Sequence, residues 1–407
     1  MSDPTTISVI VVSQGRPDYL RRCLLGLAQQ YYENFEIIVV ADAAGCGVAA
    51  DHGSIKIVLY EAGNISAARN LGIAQAAGNL IAFIDDDAVA EPTWLTHLAQ
   101  PFDDPVLAAA TGYVRGRNGI SFQWQGRMVD GQSLTRPLET TNDAPQIVTA
   151  KDGWVLKLEG TNMMFRADIL RGIGGFDERF HFYLDETDLG MRLGLAGHKM
   201  ALCPMAQVHH GFAASARRAI NRAPKSLFEI GASLAIYLRK YQPDANHLNI
   251  ERMAQRKRLL HLMVAGDLAP DQINPLLQGF DDGVKQATAR KRTTPKLACD
   301  VAFSAFATQI TSAPTEFLSG RPWQRASLMR RARSMLANGQ RVHVIILSPT
   351  TLFHRIEFDV FGIWIQRGGI FGRASRDEPL FSFASFKARA AREMCNRKTL
   401  QHPKIPQ

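Results

Sequence analysis

The chain reads as an α/β protein with a mostly parallel sheet and helices on both faces, followed by a largely helical region with a few added strands. Three observations predict this. Four short runs, residues 7–12, 35–40, 55–60 and 80–84, are nearly continuous in apolar, often β-branched residues, as strands buried on both faces require. The segments 19–30 and 66–76 that separate some of these runs have helical periodicity, and strand–helix alternation favours parallel pairing. Beyond residue 216 the apolar spacing turns to threes and fours, the helical pattern.

In order, residues 7–12 (ISVIVV) form the first strand. Leu20, Cys23, Leu24, Leu27 and Ala28 then line one face of a helix over 19–30, which Asp18 is placed to cap. Residues 35–40 and 55–60 supply two more strands and 66–76 an alanine-rich helix. The fourth strand, 80–84 (LIAFI), ends on Asp85, Asp86 and Asp87. A short helix starts near Pro92. Residues 113–150, polar and rich in Gly, Arg and Thr, suit a loop excursion or hairpin. Residues 167–171 and 185–196 are predicted helical, the latter stopped by Gly197. Residues 216–338 are mainly helical, notably 226–239 and 251–265, with 270–295 as a basic connecting stretch. Residues 342–348 and 356–366 read as strands, and one helical segment follows Phe383 before a loose end. These shifts divide the chain into a first unit over 1–216 and a basic second unit over 217–407.

A hydrophobic fraction of 46% in 407 residues supports a sizeable core and excludes disorder as the dominant state. The five cysteines are scattered without a CxxC pair, which predicts reduced thiols and a cytosolic chain. The first residues lack the basic start and long apolar core of a signal peptide. No run approaches the roughly 18 to 20 apolar residues of a membrane span. The net charge of +9 is unevenly placed: residues 1–216 carry 16 Lys/Arg against 24 Asp/Glu, residues 217–407 carry 31 against 14. The basic half is suited to an anionic partner such as lipid headgroups or a diphosphate-linked acceptor. No basic-helix or zinc signature points to nucleic acid.

The chemistry gathers at strand ends, where open α/β sheets bind ligands. An extended backbone puts Asp85 and Asp87 on one side, and three adjacent carboxylates call for a compensating cation, Mg²⁺ or Mn²⁺ by ligand type. That cation would hold a diphosphate leaving group. Asp42, after the second strand, can accept from a base N–H or a ribose hydroxyl. Arg69 in GNISAARNLG can order the carboxylates, touch phosphate or form a buried ion pair. Asp185, Glu186 and Asp188 open a helix, either as plain N-terminal charges or with one acting as a general base. Asp188 lies four residues before Arg192 and reads as its structural partner. His209 and His210 close a probable strand, MAQVHHG. Adjacent strand residues face opposite ways, so at most one ligates a metal.

Three segments in order carry a resemblance: ISVIVVSQGRPDYLRRCLLGLAQQYYENFEIIVVAD, AGNISAARNLGIAQAAGNLIAFIDDDAVAEPTWL and GTNMMFRADILRGIGGFDERFHFYLDETDLGMRL. Over residues 7 to about 216 the chain resembles the inverting family 2 glycosyltransferases with the A-type (GT-A) nucleotide-sugar-binding fold. The resemblance implies that Asp42 contacts the nucleobase and that Asp85 and Asp87 are the acidic pair of the metal motif, Asp87 nearest the cation. Gly160, Thr161 and Asn162 would shape the donor and acceptor pocket. Glu186 would match the base, and His209 or His210 would complete the metal or phosphate site. Two departures stand out: Ala41-Asp42 replaces a paired acid, and Asp185-Glu186 reverses the usual Glu-Asp order, so Asp185 remains a candidate base.

The implied activity is transfer of a sugar from a nucleotide-diphosphate sugar to a saccharide or lipid-linked saccharide in surface polysaccharide or glycoconjugate synthesis. The implied location is cytoplasmic, at the inner face of the membrane, with peripheral contact through residues 217–407 and room for a homodimer. The competing expectation is a nucleotide-sugar-binding or membrane-surface carbohydrate-binding protein without turnover.

Overall fold

The computed structural model describes residues 5–402 except 141, 212–216, 218, 220, 299, 309 and 312. The expected helix start at 216, Cys299 and the loose end after 402 therefore lie outside the described residues.

The four predicted strands pair in parallel in the order Leu80–Asp85, Ile7–Ser13, Phe35–Ala41, Lys56–Leu59. Their continuous apolar runs bury both faces. Val9, Val11, Ile37, Val39 and Ile84 face one core, and Ile10, Ile38, Val40, Ile81 and Phe83 face the other. The parallel expectation holds for this half of the ten-stranded sheet. In the other half Met163–Arg166 runs antiparallel between Leu80–Asp85 and Leu107–Arg115, and Lys199–His210 lies parallel to Leu107–Arg115.

Local departures have local causes. The first helix, Pro17–Leu27, starts on Pro17, whose fixed φ suits a first helical residue, so Asp18 sits inside the first turn and does not cap it. Asp42 instead caps an unexpected helix, Ala43–Ala50, accepting from the Gly45 N–H at 2.9 Å.

Helices Phe228–Tyr241, Ala245–Val264 and Ile273–Gln286 cover one side. The third falls in the stretch expected to connect. It packs closely on the first because Gly231 and Gly283 have no side chain: a Cβ on either would lie 2.2 Å from the Phe280 carbonyl oxygen or 2.0 Å from that of Phe228. The described residues of 290–315 form no helix or strand and run along the first unit, where the Phe306 N–H donates to the Phe35 carbonyl at 2.7 Å.

The rest of the chain builds a second sheet, in the order Glu316–Gly320, Val342–Ser348, Trp364–Gly369, Arg355–Phe358; the first three are parallel and the last antiparallel. Helix Arg325–Ala337 packs over Val344 and Ile346, and helix Phe386–Gln401 over Ile345 and Leu347, so successive residues of one strand face opposite layers. The Glu316–Gly320 strand corrects the helical expectation there. The single strand expected over 356–366 is two, folded at Gly362 (φ 93°), with Asp359 Oδ1 accepting from the Phe361 and Ile363 N–H groups.

This second sheet docks on the first unit through polar groups. Arg341 donates to the Gln29 and Gln30 carbonyls at 2.5 and 2.8 Å. Arg397 donates to both oxygens of the fully buried Glu91 at 2.7 and 2.9 Å. The four described cysteines, Cys23, Cys46, Cys203 and Cys395, form no disulfide.

Candidate active site

The acidic triplet leaves Leu80–Asp85 at the carboxyl edge of the parallel strands. The next three residues, Ala88–Ala90, pair antiparallel with the end of Lys199–His210, matching His210 with Ala88 and His209 with Val89. The Gly211 N–H donates to the Asp87 carbonyl at 2.7 Å. This register carries His210 to the triplet. Ligand atoms of Asp85, Asp87 and His210 lie within 4.8 Å of one another. His210 Nε2 is 3.1 Å from Asp87 Oδ1, and its Nδ1 bonds Gln123 Oε1 at 2.9 Å, which fixes the ring. Two carboxylates and an imidazole on one open corner fit a divalent cation that keeps further positions for a ligand.

Asp86 points the other way. Its carboxylate is buried, accepts from Ser13 Oγ at 2.7 Å and pairs with Arg16 at 2.6 Å. Burial pushes it up to about 7 against the pull of Arg16. The expectation of direct donor contact is corrected: Asp86 supports the turn from behind. Of the two histidines expected near a metal, His210 is the one that stands with Asp85 and Asp87. His209 faces away, 2.6 Å from Glu91 Oε1, in a buried setting that lowers it to about 4 despite the carboxylate.

Arg69 joins the two acidic groups. Its buried guanidinium pairs with Asp185, reaches Asp85 at 3.5 Å and donates to the Gly160 carbonyl at 3.0 Å. Of the alternatives left open, the structure favours ordering of carboxylates over phosphate contact. Gly160 serves this arrangement, since a Cβ there would meet Arg69 Nη2 at 3.1 Å. Asn162 is fully buried, accepting from Trp94 Nε1 at 2.8 Å and donating to the Ala206 and Tyr113 carbonyls at 2.8 and 3.0 Å. It braces strands behind the pocket rather than lining it.

Helix Asp185–Leu195 starts immediately after two non-glycine residues in left-handed backbone, Tyr183 (φ 74°) and Leu184 (φ 65°), a strain that folded proteins retain where they aim a site. Glu186 bonds Lys157 Nζ at 2.9 Å. Burial opposes its charge, but Lys157 outweighs that and holds the carboxyl at about 2. Asp185 is buried against Arg69, and burial raises it to about 7. Asp188 is fully buried, bonds Arg192 at 2.8 Å and accepts from Tyr241 at 2.8 Å, the structural role expected of it.

A cavity of about 830 Å³ opens beside Asp85, Asp87 and His210. Ser13 to Arg16 and Tyr60 line one side, and Glu229, Ile230 and Arg258 bring the later helices to the other. Asp42 lies just behind this wall, where its second oxygen accepts from the Gly15 N–H at 2.5 Å. Sequence reasoning missed Arg16, Lys157 and Glu91. Each is a lone charge whose partner lies far along the chain: Arg16 meets Asp86, Lys157 meets Glu186 and Glu91 meets Arg397.

The glycosyltransferase-like family 2 profile matches residues 4–224. The chain belongs to this family. It is 26% identical over 233 residues to the O-antigen biosynthesis protein RfbC of Myxococcus xanthus, covering 52% of this chain and 18% of that one. It is 26% identical over 215 residues to the pre-mycofactocin glycosyltransferase of Mycobacterium tuberculosis, covering 50% and 42%. A shorter stretch of 66 residues, 16% of this chain and 20% of the other, is 41% identical to N-acetylglucosaminyl-diphospho-decaprenol L-rhamnosyltransferase of the same species. The chain thus spans less than half the length of these relatives.

Proposed function

We propose that this family 2 member transfers a sugar, with inversion, from a nucleotide-diphosphate sugar to a hydroxyl of a saccharide or lipid-linked saccharide. The observation that carries the reading is the convergence of Asp85, Asp87 and His210 on the mouth of a cavity, with a second carboxylate pair held across Arg69. Mn²⁺ or Mg²⁺ bound there would supply Lewis-acid stabilisation of the departing diphosphate. Asp85, Asp87 and His210 would hold it, with Asp86 and Arg16 supporting the turn.

On the acceptor side we place the base on Glu186. Its side chain is 16% exposed, against 4% for Asp185, whose carboxylate is committed to Arg69. Glu186 takes the acceptor hydroxyl proton as that oxygen bonds to the anomeric carbon and the carbon–phosphate oxygen bond breaks. Nucleoside diphosphate leaves with the bonding pair. Asp42, behind the Gly15 wall, supports the nucleobase end of the pocket.

The reading also places the chain at the inner face of the cytoplasmic membrane, meeting a lipid-linked acceptor from the surface. Among the described residues no helix is long and apolar enough to cross a membrane. Incubation with a panel of nucleotide sugars, Mn²⁺ and lipid-linked saccharides tests the function. Release of nucleoside diphosphate with an inverted product is expected. Intact donor throughout would favour a binding protein, and nucleoside monophosphate would indicate cleavage between the phosphates.

A further inference from the structure

Three strands of the second sheet are parallel, so the loops leaving Glu316–Gly320, Val342–Ser348 and Trp364–Gly369 emerge at one edge. That edge carries large apolar side chains outside every core: Trp323 is 74% exposed, Leu352 63%, Leu380 72% and Phe383 88%. Several are gathered. Phe381 packs on Phe383 and on Phe371, with ring centroids 4.7 and 5.5 Å apart. The Phe371 N–H donates to the Thr350 carbonyl at 3.1 Å, which ties this group to the Leu352 loop. Cations sit among the rings: Arg373 lies 4.5 Å over Phe353 and Arg321 4.5 Å over Phe386. Arg376 and Lys387 are exposed on the same segment. Of its two acids, Asp377 and Glu378, the latter is engaged by the Ala374 N–H at 2.8 Å.

We propose that this edge docks on an anionic lipid bilayer, with Leu380, Phe381 and Phe383 entering the headgroup–acyl boundary and Arg373, Arg376 and Lys387 meeting lipid phosphates. It deepens the membrane-surface reading above by naming the surface. Scattered exposed apolar residues are ordinary, whereas a contiguous group rimmed by cations combines the two forces that hold peripheral proteins on lipid. A second copy is the poorer occupant, because a two-fold self-contact sets the same cations against one another.

The test is co-sedimentation of the full chain with vesicles of phosphatidylcholine, alone or mixed with phosphatidylglycerol. Binding to the mixed vesicles at low salt, weakening as salt rises, is expected. Phe381→Asp with Phe383→Asp should lower the bound fraction roughly tenfold at an unchanged melting temperature. Arg373→Gln, Arg376→Gln and Lys387→Gln together should flatten the salt dependence. No binding to anionic vesicles at low salt overturns the proposal, and so does binding that the double aspartate variant leaves intact. A dimer that this variant dissociates, without vesicle binding, would also overturn it and assign the edge to a second copy. The assay uses no donor, so its failure is separable from that of the sugar-transfer reading, which would show as intact nucleotide sugar.

Discussion

At the residue scale, the acidic triplet is a split device. Asp87→Asn removes a ligand oxygen beside His210, and Mn²⁺ affinity, read by electron paramagnetic resonance, should fall about tenfold or more, in the range of ligand-shell losses. Asp86→Asn should disturb Mn²⁺ binding far less, since that side chain faces Ser13 and Arg16. Chelation should abolish turnover and Mn²⁺ or Mg²⁺ restore it; full turnover in metal-free buffer would refute this. The second carboxylate pair is held asymmetrically: burial raises Asp185 above the ordinary carboxylate range, whereas burial at Glu186 is outweighed by Lys157, which keeps that carboxylate ionised. Glu186→Gln should lower kcat by roughly 10² or more with little change in donor KM. Asp185→Asn should keep part of the turnover, because Glu186 retains its charge beside Lys157. A dead Asp185→Asn beside an active Glu186→Gln would move the base to Asp185. Asp85 and Asp87 were visible in the sequence as acids closing an apolar strand, but the choice between His209 and His210 was not, because it depends on the pairing of that strand end with Ala88–Ala90. Lys157 was not, since nothing local joins it to Glu186, 29 residues away.

At the element scale, continuous β-branched runs announced the four parallel strands, but Leu107–Arg115 (LAAATGYVR) escaped notice because its small residues are not the usual strand formers. The run at 356–366 misled in the opposite sense: its apolar content hides the fold at Gly362. Helix Ile273–Gln286 was hidden by Pro275, by two glycines and by the basic cluster that follows it, although Ile273, Leu276, Leu277 and Phe280 keep helical spacing and it packs closely on Phe228–Tyr241. Gly283→Ala would drive a methyl group into the Phe228 carbonyl, and a loss of about 1–3 kcal/mol is expected in urea unfolding, the range for overpacking. The carboxyl-terminal helix is pinned by charge. Arg397→Met leaves Glu91 buried without its cation and should lower stability by about 3–5 kcal/mol. Adding Glu91→Met should recover much of that loss; no recovery would mean that the pair is not what holds the helix.

At the scale of the whole molecule, the charge asymmetry was legible as a fact but not as an architecture. A basic second half could equally have been an unfolded tail or a helical bundle, and the second sheet follows only from pairing between distant segments. Its docking makes stability pH-dependent. Buried His209 titrates at about 4, against about 6.5 for an unfolded histidine, so the unfolded chain binds more protons between these values. Stability from this group is complete above about pH 6.5 and lost as pH falls towards 4. Burial opposes the charge of Glu91, but Arg397 and His209 hold it well below the usual carboxylate range, which extends the loss below about pH 4.3. The urea midpoint should therefore drop between neutral and mildly acidic buffer, and His209→Gln should flatten the upper part of that drop. The same Glu91–Arg397 contact bears on modular engineering. The family segment ends near residue 224, yet the cation that neutralises its buried Glu91 is supplied from position 397. A chimera that grafts residues 1–224 onto a foreign tail would inherit an unneutralised charge one strand away from His210. Such hybrids should misfold unless the graft also replaces Glu91 or brings its own arginine to that spot, so swapping specificity between relatives becomes a problem of matching one buried ion pair.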